Sequence, residues 1–107
     1  MPLRAVGRGR YTLELFHGPT CAFKDFGAGF MGRAIGMLGA ADERLVILTA
    51  TSGDTGSAVA HGFYNVPGVD VVVLYPEGKI SRLQECQMTA LGGNIHPLRV
   101  AGTFDDC

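Results

Sequence analysis

The sequence contains two lysines, Lys24 and Lys79, and the setting of Lys24 suits nucleophilic chemistry. Lys24 lies beside Phe23 and close to Phe26, at the predicted start of a helix. Apolar neighbours and the backbone dipoles of a helix start both favour the neutral amine, and a neutral amine can attack a carbonyl carbon. The pattern therefore indicates Lys24 as a candidate for covalent catalysis. A second interpretation stays open, in which Lys24 extends past the two rings into solvent and Asp25 caps the helix.

A second candidate segment joins a predicted buried strand to a predicted helix and consists of Thr51, Ser52, Gly53, Asp54 and Thr55, here called the 51–55 loop. Such a junction presents backbone N–H groups at the carboxyl end of the strand. The three hydroxyls add donors, and Gly53 allows close approach to the backbone. The loop therefore predicts a site for a small anion such as a carboxylate, with Asp54 directed toward a cation or a polar ring substituent. A capping box formed by Thr51 and Asp54 is the structural alternative.

A third candidate pair, Lys79 and Ser81, precedes another predicted helix, where an ammonium group and a hydroxyl could contact a substrate phosphate. A solvated lysine at a helix start is the simpler alternative. His17 lies close enough to Lys24 in the sequence to line the same site.

Three glycines, Gly27, Gly29 and Gly32, match the dinucleotide-binding pattern letter by letter. That pattern must follow a strand directly, and here it follows a loop and the Lys24 segment. Packing of a helix is the favoured use of these glycines, and a nicotinamide-dinucleotide enzyme is a distant alternative.

The elements that position these groups alternate between short apolar runs and longer segments with helical spacing. Residues 45–50 and 71–75 are continuous apolar runs, typical of parallel strands covered on both faces. Further strands are predicted over residues 94–100 and at an edge over residues 12–16. The alternation predicts an α/β fold, a three-layer sandwich with a mainly parallel sheet, in a single domain spanning residues 1–107.

Three helices are predicted, over residues 24–38, 55–64 and 81–91. In the first of them an apolar stripe is expected to face the core, and it consists of Phe26, Phe30, Ala34 and Leu38. At the end of the chain, Thr103 and the following acidic residues are typical of a helix start. This pattern favours an incomplete piece of a longer protein.

Composition excludes several functional classes. Nine basic and ten acidic residues give a formal charge of -1, which disfavours nucleic acid and acidic membranes as partners. The spacing of the three cysteines indicates neither a metal site nor a disulfide framework, and no signal peptide or membrane span is evident. We expect a cytoplasmic protein without a metal, in which Arg4, Arg8 and Arg10 belong to a frayed terminus.

Five segments in one order carry a resemblance to a known family, namely residues 13–20, 22–26, 48–56, 75–81 and 91–95. Together they resemble the threonine synthases, which belong to the tryptophan synthase beta-like group of fold type II pyridoxal-phosphate enzymes. Several matching strings at sensible separations are far more specific than any one of them.

The resemblance implies an activity, a cofactor and roles for named residues. It implies a lyase that converts O-phospho-L-homoserine and water to L-threonine and phosphate, with Lys24 holding pyridoxal 5'-phosphate covalently and moving protons at the substrate carbons. The 51–55 loop would bind the substrate carboxylate, and Asp54 would lie near the hydroxyl of the cofactor ring. The glycine-rich cradle for the cofactor phosphate would lie downstream. A non-catalytic fragment or binding module with the same fold is the alternative.

Overall fold

The computed structural model describes residues 1–39 and 44–107. Strands and helices follow one another along the chain as β1 (Leu3–Gly7), β2 (Arg10–Leu13), α1 (Lys24–Leu38), β3 (Leu45–Ala50), α2 (Asp54–Phe63), β4 (Val69–Pro76), α3 (Arg82–Thr89) and β5 (Ile95–Val100). A single 3-10 turn, Phe104–Asp106, comes last. The three predicted helices are all present, and α1 has the predicted bounds.

Strands β3, β4 and β5 form a parallel sheet with β4 in the centre. The register places Ile47 opposite Val71 and Val71 opposite Ile95. Helix α2 connects β3 to β4, and α3 connects β4 to β5. These two strand-helix-strand units confirm the predicted α/β class with a parallel sheet. They also bring the starts of α2 and α3 to one edge of the sheet, at the carboxyl ends of the strands.

The core lies between the sheet and the two connecting helices. Val71 and Val73 on β4 are fully buried against Phe63 from α2 and Met88 from α3. Because successive strand residues point to opposite faces, these contacts place both helices on the same face of the sheet. Burial of each large apolar side chain contributes roughly 1.5–3 kcal/mol to stability.

The opposite face of the sheet is open to solvent. Leu48 on β3 and Leu98 on β5 are 67% and 51% exposed, and Val46 is exposed beside them. The prediction that residues 45–50 are covered on both faces therefore holds for one face only. No helix within residues 1–39 and 44–107 covers the other face, so those residues do not form the second helical layer of the predicted three-layer sandwich.

Helix α1 packs on α2 through its smallest residues. The buried positions of α1 are Asp25, Ala28 and Gly32, and the predicted stripe is wrong, because Phe30 and Leu38 are 75% and 85% exposed. A Cβ on Gly32 would collide with the carbonyl oxygen of Gly62 in α2, and a Cβ on Gly62 would lie 2.6 Å from the carbonyl carbon of Ala28. The two backbones approach too closely for an aromatic stripe to lie between them.

Replacing Gly32 with alanine is therefore expected to destabilise the fold by about 2–4 kcal/mol, because the added methyl must push α1 away from α2. The matched control is Gly27→Ala in the same helix, where a Cβ would meet nothing within 4 Å. That change is expected to stabilise the helix by about 0.5–1 kcal/mol. Urea unfolding of the two variants measures both effects, and equal shifts in the same direction would contradict the close helix crossing.

The first thirteen residues contain an antiparallel hairpin of β1 and β2, in which Leu3 pairs with Leu13 and Arg4 with Thr12. Its turn uses Arg8 and Gly9 at φ 50° and 70°, as a two-residue hairpin turn requires. The prediction of a frayed arginine-rich terminus is wrong, and the strand predicted over residues 12–16 lies instead at Arg10–Leu13. An arginine in place of the usual Asn or Asp conceals this turn in the sequence.

Candidate functional site

Lys24 is the first residue of α1, as predicted, and is half-buried. Its Nζ lies 5.5 Å from the centroid of the Phe23 ring, which places the amine over an aromatic face. The ion pairs formed by residues 1–39 and 44–107 do not include Lys24. The amine thus lies at the helix start, beside an aromatic ring.

A cavity of about 420 Å³ lies between α1 and α2, and Lys24 is part of its wall. Phe23, Met31 and Val59 supply much of the apolar lining, and Thr55 from the 51–55 loop faces the same space. Lys24 is the basic residue of this lining and Thr55 its hydroxyl residue. The structure therefore brings two of the predicted site segments, far apart in the sequence, to one mainly apolar cavity.

The loop before Lys24 is fixed by Asp25. The Asp25 carboxylate is buried, and it accepts hydrogen bonds from the Thr20 hydroxyl at 2.6 Å and from the Thr20 backbone N–H at 3.0 Å. Gly18 packs so closely on this carboxylate that no side chain fits there. Asp25 thus ties the preceding loop to α1, a role that sequence reasoning missed when it considered Asp25 as a helix cap.

The hydroxyl of Thr51 organises the 51–55 loop from inside. Thr51 is buried, and its Oγ1 accepts hydrogen bonds from the N–H groups of Gly53 at 3.0 Å and Gly56 at 2.9 Å. The same hydroxyl donates to the carbonyl of Gly53 at 3.0 Å. This geometry supports a loop-shaping role for Thr51, and a direct contact with a carboxylate stays a prediction. Asp54 and Thr51 do not form a capping box, because the Thr51 backbone N–H donates to the carbonyl of Leu74 and the Asp54 carboxylate accepts from Gln84.

Gly53 has a backbone conformation of φ 150° and ψ −101°, which only glycine adopts without strain. A Cβ there would lie 2.5 Å from the side-chain nitrogen of Gln84. The turn at Gly53 leaves Ser52 and Asp54 exposed and Thr55 half-buried at the start of α2. The groups that remain available to a ligand are therefore the hydroxyls of Ser52 and Thr55 and one edge of the Asp54 carboxylate.

The predicted Lys79 and Ser81 segment meets this loop through Gln84. Ser81 caps α3 in a capping box with Gln84, and the Gln84 side-chain nitrogen donates to Asp54 Oδ1 at 2.7 Å. Lys79 is exposed beside this turn. Sequence reasoning missed Gln84, although the Ser-x-x-Gln spacing is a recognisable capping-box signal.

The positions of His17 and of the glycine pattern in α1 bear on two further predictions. His17 is hydrogen-bonded to Glu14, Nε2 to Oε2 at 2.7 Å, and its ring lies tilted against Phe16, so the contacts described for it lie in the loop after β2. Gly27 and Gly29 lie inside α1 and not at a strand-to-helix turn. This position does not support the dinucleotide-binding alternative.

None of the helices in residues 1–39 and 44–107 combines the length and apolar character needed to cross a membrane. The same residues contain no group of three His, Cys, Asp or Glu side chains placed to hold a metal ion.

Comparison with known protein families identifies the family of the chain. Residues 8–107 match the family described as pyridoxal-phosphate dependent enzyme. The chain belongs to this family. Relatives with a similar sequence include threonine synthases from several organisms.

Among these relatives, threonine synthase from Haemophilus influenzae is 55% identical over 106 residues, which are 99% of this chain and 25% of that protein. Threonine synthase from Escherichia coli is 60% identical over 95 residues, covering 89% and 22% of the two chains. The chain therefore spans about a quarter of the length of the curated relatives it matches.

Solved structures give the same result for the fold. A threonine synthase from Brucella melitensis, solved with pyridoxal phosphate bound, superposes with a TM-score of 0.88 at 42% identity and covers 99% of this chain and 23% of that chain. The Escherichia coli threonine synthase superposes with a TM-score of 0.80 at 54% identity, over 97% of this chain and 24% of the other. These structures confirm the expected fold type II architecture.

Proposed function

We propose that this chain contributes the lysine-bearing part of a threonine synthase-type lyase, which converts O-phospho-L-homoserine and water to L-threonine and phosphate. The observation that carries the proposal is the cavity shared by Lys24 and Thr55 at the starts of α1 and α2. The identity of 55% to a threonine synthase supports the choice of reaction within the family. The finer assignments below rest on the geometry of this chain.

The residues around the cavity fit pyridoxal 5'-phosphate. A primary amine faces a mainly apolar space of about 420 Å³, large enough for a single substituted ring. When bound, the cofactor supplies an electron sink for the substrate carbons, and the protein supplies binding and orientation. Lys24 would hold the cofactor, and the exposed carboxylate of Asp54, the residue before Thr55 of the cavity lining, would accept a hydrogen bond from a polar ring substituent.

The 51–55 loop is proposed to bind the substrate carboxylate. Its backbone turns at the carboxyl end of β3 and leads directly into α2, and the start of a helix favours an anion. The hydroxyls of Ser52 and Thr55 can donate to the same anion, while buried Thr51 holds the turn that places them. Binding at this loop would position the substrate carbons beside the Lys24 amine.

Lys24 is also proposed to move protons during the reaction. Within the cavity lining it is the basic side chain, and its neighbours there are mainly apolar. Lys79 is exposed two residues before Ser81, and we propose that it contacts the substrate phosphate as a mobile positive charge. Ser81 would contribute by shaping that turn, because its hydroxyl and its backbone N–H are both bonded to Gln84.

A non-catalytic binding module is the second candidate, and the open sheet face around Leu48 and Leu98 favours it. The two candidates predict different results when this chain is joined to the remaining three quarters of a related threonine synthase. A catalytic part should sustain turnover in that hybrid protein, and a binding module should not. We therefore propose grafting the chain into the Haemophilus influenzae threonine synthase in place of the corresponding quarter.

The assay on the graft measures release of inorganic phosphate from O-phospho-L-homoserine together with formation of threonine. The proposal predicts turnover within about tenfold of the unaltered relative, because the cavity residues are provided by the graft. A graft that folds and binds pyridoxal phosphate but releases no phosphate would favour the binding module.

A further inference from the structure

The side-chain amide of Gln84 has one possible orientation, set by the groups at its two ends. Its oxygen accepts from the Ser81 backbone N–H at 3.2 Å and from the Ser81 hydroxyl at 2.9 Å. Its nitrogen donates to Asp54 Oδ1 at 2.7 Å. A backbone N–H can only donate and an ionised carboxylate can only accept. Rotating the amide by half a turn would therefore lose both contacts.

Packing holds Gln84 against the 51–55 loop. Its amide lies over Gly53, where any side chain would collide with it. The hydroxyl of Ser57 in α2 reaches the backbone carbonyl of Gln84 at 3.4 Å, and Met88, one turn further along α3, would touch a Cβ on Gly56. The first turns of α2 and α3 are thus in contact through both backbone and side chains.

We infer that Gln84 is a positioning residue, which holds one oxygen of the Asp54 carboxylate and leaves the other, Oδ2, for a ligand. The inference deepens the proposed function and rests on it for the identity of that ligand. Because Ser81 fixes the amide and the amide fixes Asp54, the Lys79–Ser81 turn and the 51–55 loop are coupled as one unit. A substrate with a carboxylate at one end and a phosphate at the other would then meet two subsites at a set separation.

The substitution Gln84→Glu separates this role from helix capping. Glutamate at this position can still accept from Ser81, because the capping box uses either residue. Its second oxygen would instead face Asp54 Oδ1, so a hydrogen bond is replaced by repulsion between two carboxylates. The double variant Gln84→Glu with Asp54→Asn exchanges donor and acceptor and restores a hydrogen bond in the opposite direction. Gln87→Glu makes the same chemical change elsewhere on α3 and is the matched control.

Thermal unfolding of the full chain without cofactor gives the first result. We expect Gln84→Glu to lower the midpoint by about 5 °C near pH 7, the double variant to recover at least half of that loss, and Gln87→Glu to leave the midpoint within about 2 °C. A double variant no more stable than Gln84→Glu would overturn the inference.

NMR gives a second result, which reports directly on the Gln84 side chain. The side-chain N–H signals of Gln84 are expected to move in Asp54→Asn and to stay in place in Gln87→Glu. Gln84 signals that do not respond to Asp54→Asn would overturn the inference. Both measurements are made without cofactor, so their failure is distinguishable from failure of Lys24 to take pyridoxal phosphate.

Discussion

Replacing Lys24 with alanine is expected to reduce phosphate release by the graft at least about a thousandfold. The proposed reaction needs an amine in the cavity to hold the cofactor and to move protons, and Lys24 is the basic residue of the cavity lining. The measurement is the turnover of O-phospho-L-homoserine by the graft with and without the substitution. Lys24→Arg should lose as much, because the guanidinium keeps the charge over Phe23 but is not deprotonated at neutral pH.

Lys79→Ala is the matched control for this loss of turnover. Lys79 is exposed and is proposed only to contact the substrate phosphate. Its removal is expected to raise KM by up to about tenfold with a smaller change in kcat, as for the loss of a solvated charge contact. If Lys24→Ala retained more than a tenth of the activity, or if Lys79→Ala had the larger effect on kcat, the assignment of the catalytic amine would be wrong.

The second large effect is expected at Gly53, where alanine should lower the free energy of unfolding by about 3 kcal/mol or more. Two costs combine at this position. The backbone conformation at φ 150° and ψ −101° is strained for any residue with a side chain, and the added Cβ would lie 2.5 Å from the Gln84 nitrogen. Urea unfolding of the chain measures this loss.

Gly78→Ala is the control, because it isolates the conformational cost. Gly78 has φ +65°, and a Cβ there would meet nothing within 4 Å. Its replacement is expected to cost about 1 kcal/mol, the usual penalty of a left-handed conformation. Equal losses at the two positions would show that the contact between the 51–55 loop and Gln84 does not contribute to stability.

Local signals in the sequence were sufficient to predict the elements that carry the site. The apolar run at residues 45–50 and the hydroxyl and glycine pattern after it correctly predicted a strand followed by a helix start. The start of α1 at Lys24 was also predicted correctly. These features depend on neighbouring residues, which is why a single sequence reveals them.

The features that the sequence did not reveal depend on distant contacts. The aromatic residues of α1 resemble a core stripe, but the close approach of Gly32 to Gly62 selects the small-residue face. The apolar run of β3 cannot show that one of its faces lies open. The contact of Gln84 with Asp54 joins two helix starts that only the parallel sheet brings together.

Lys24 is proposed as the amine that takes pyridoxal phosphate in the cavity between α1 and α2. This assignment can be tested by incubating the chain with pyridoxal phosphate, reducing with borohydride, and locating the pyridoxyl group by peptide mass spectrometry. We expect a stable C–N bond to the Lys24 Nζ and little label on Lys79. Label mainly on Lys79, or on neither lysine, would contradict it.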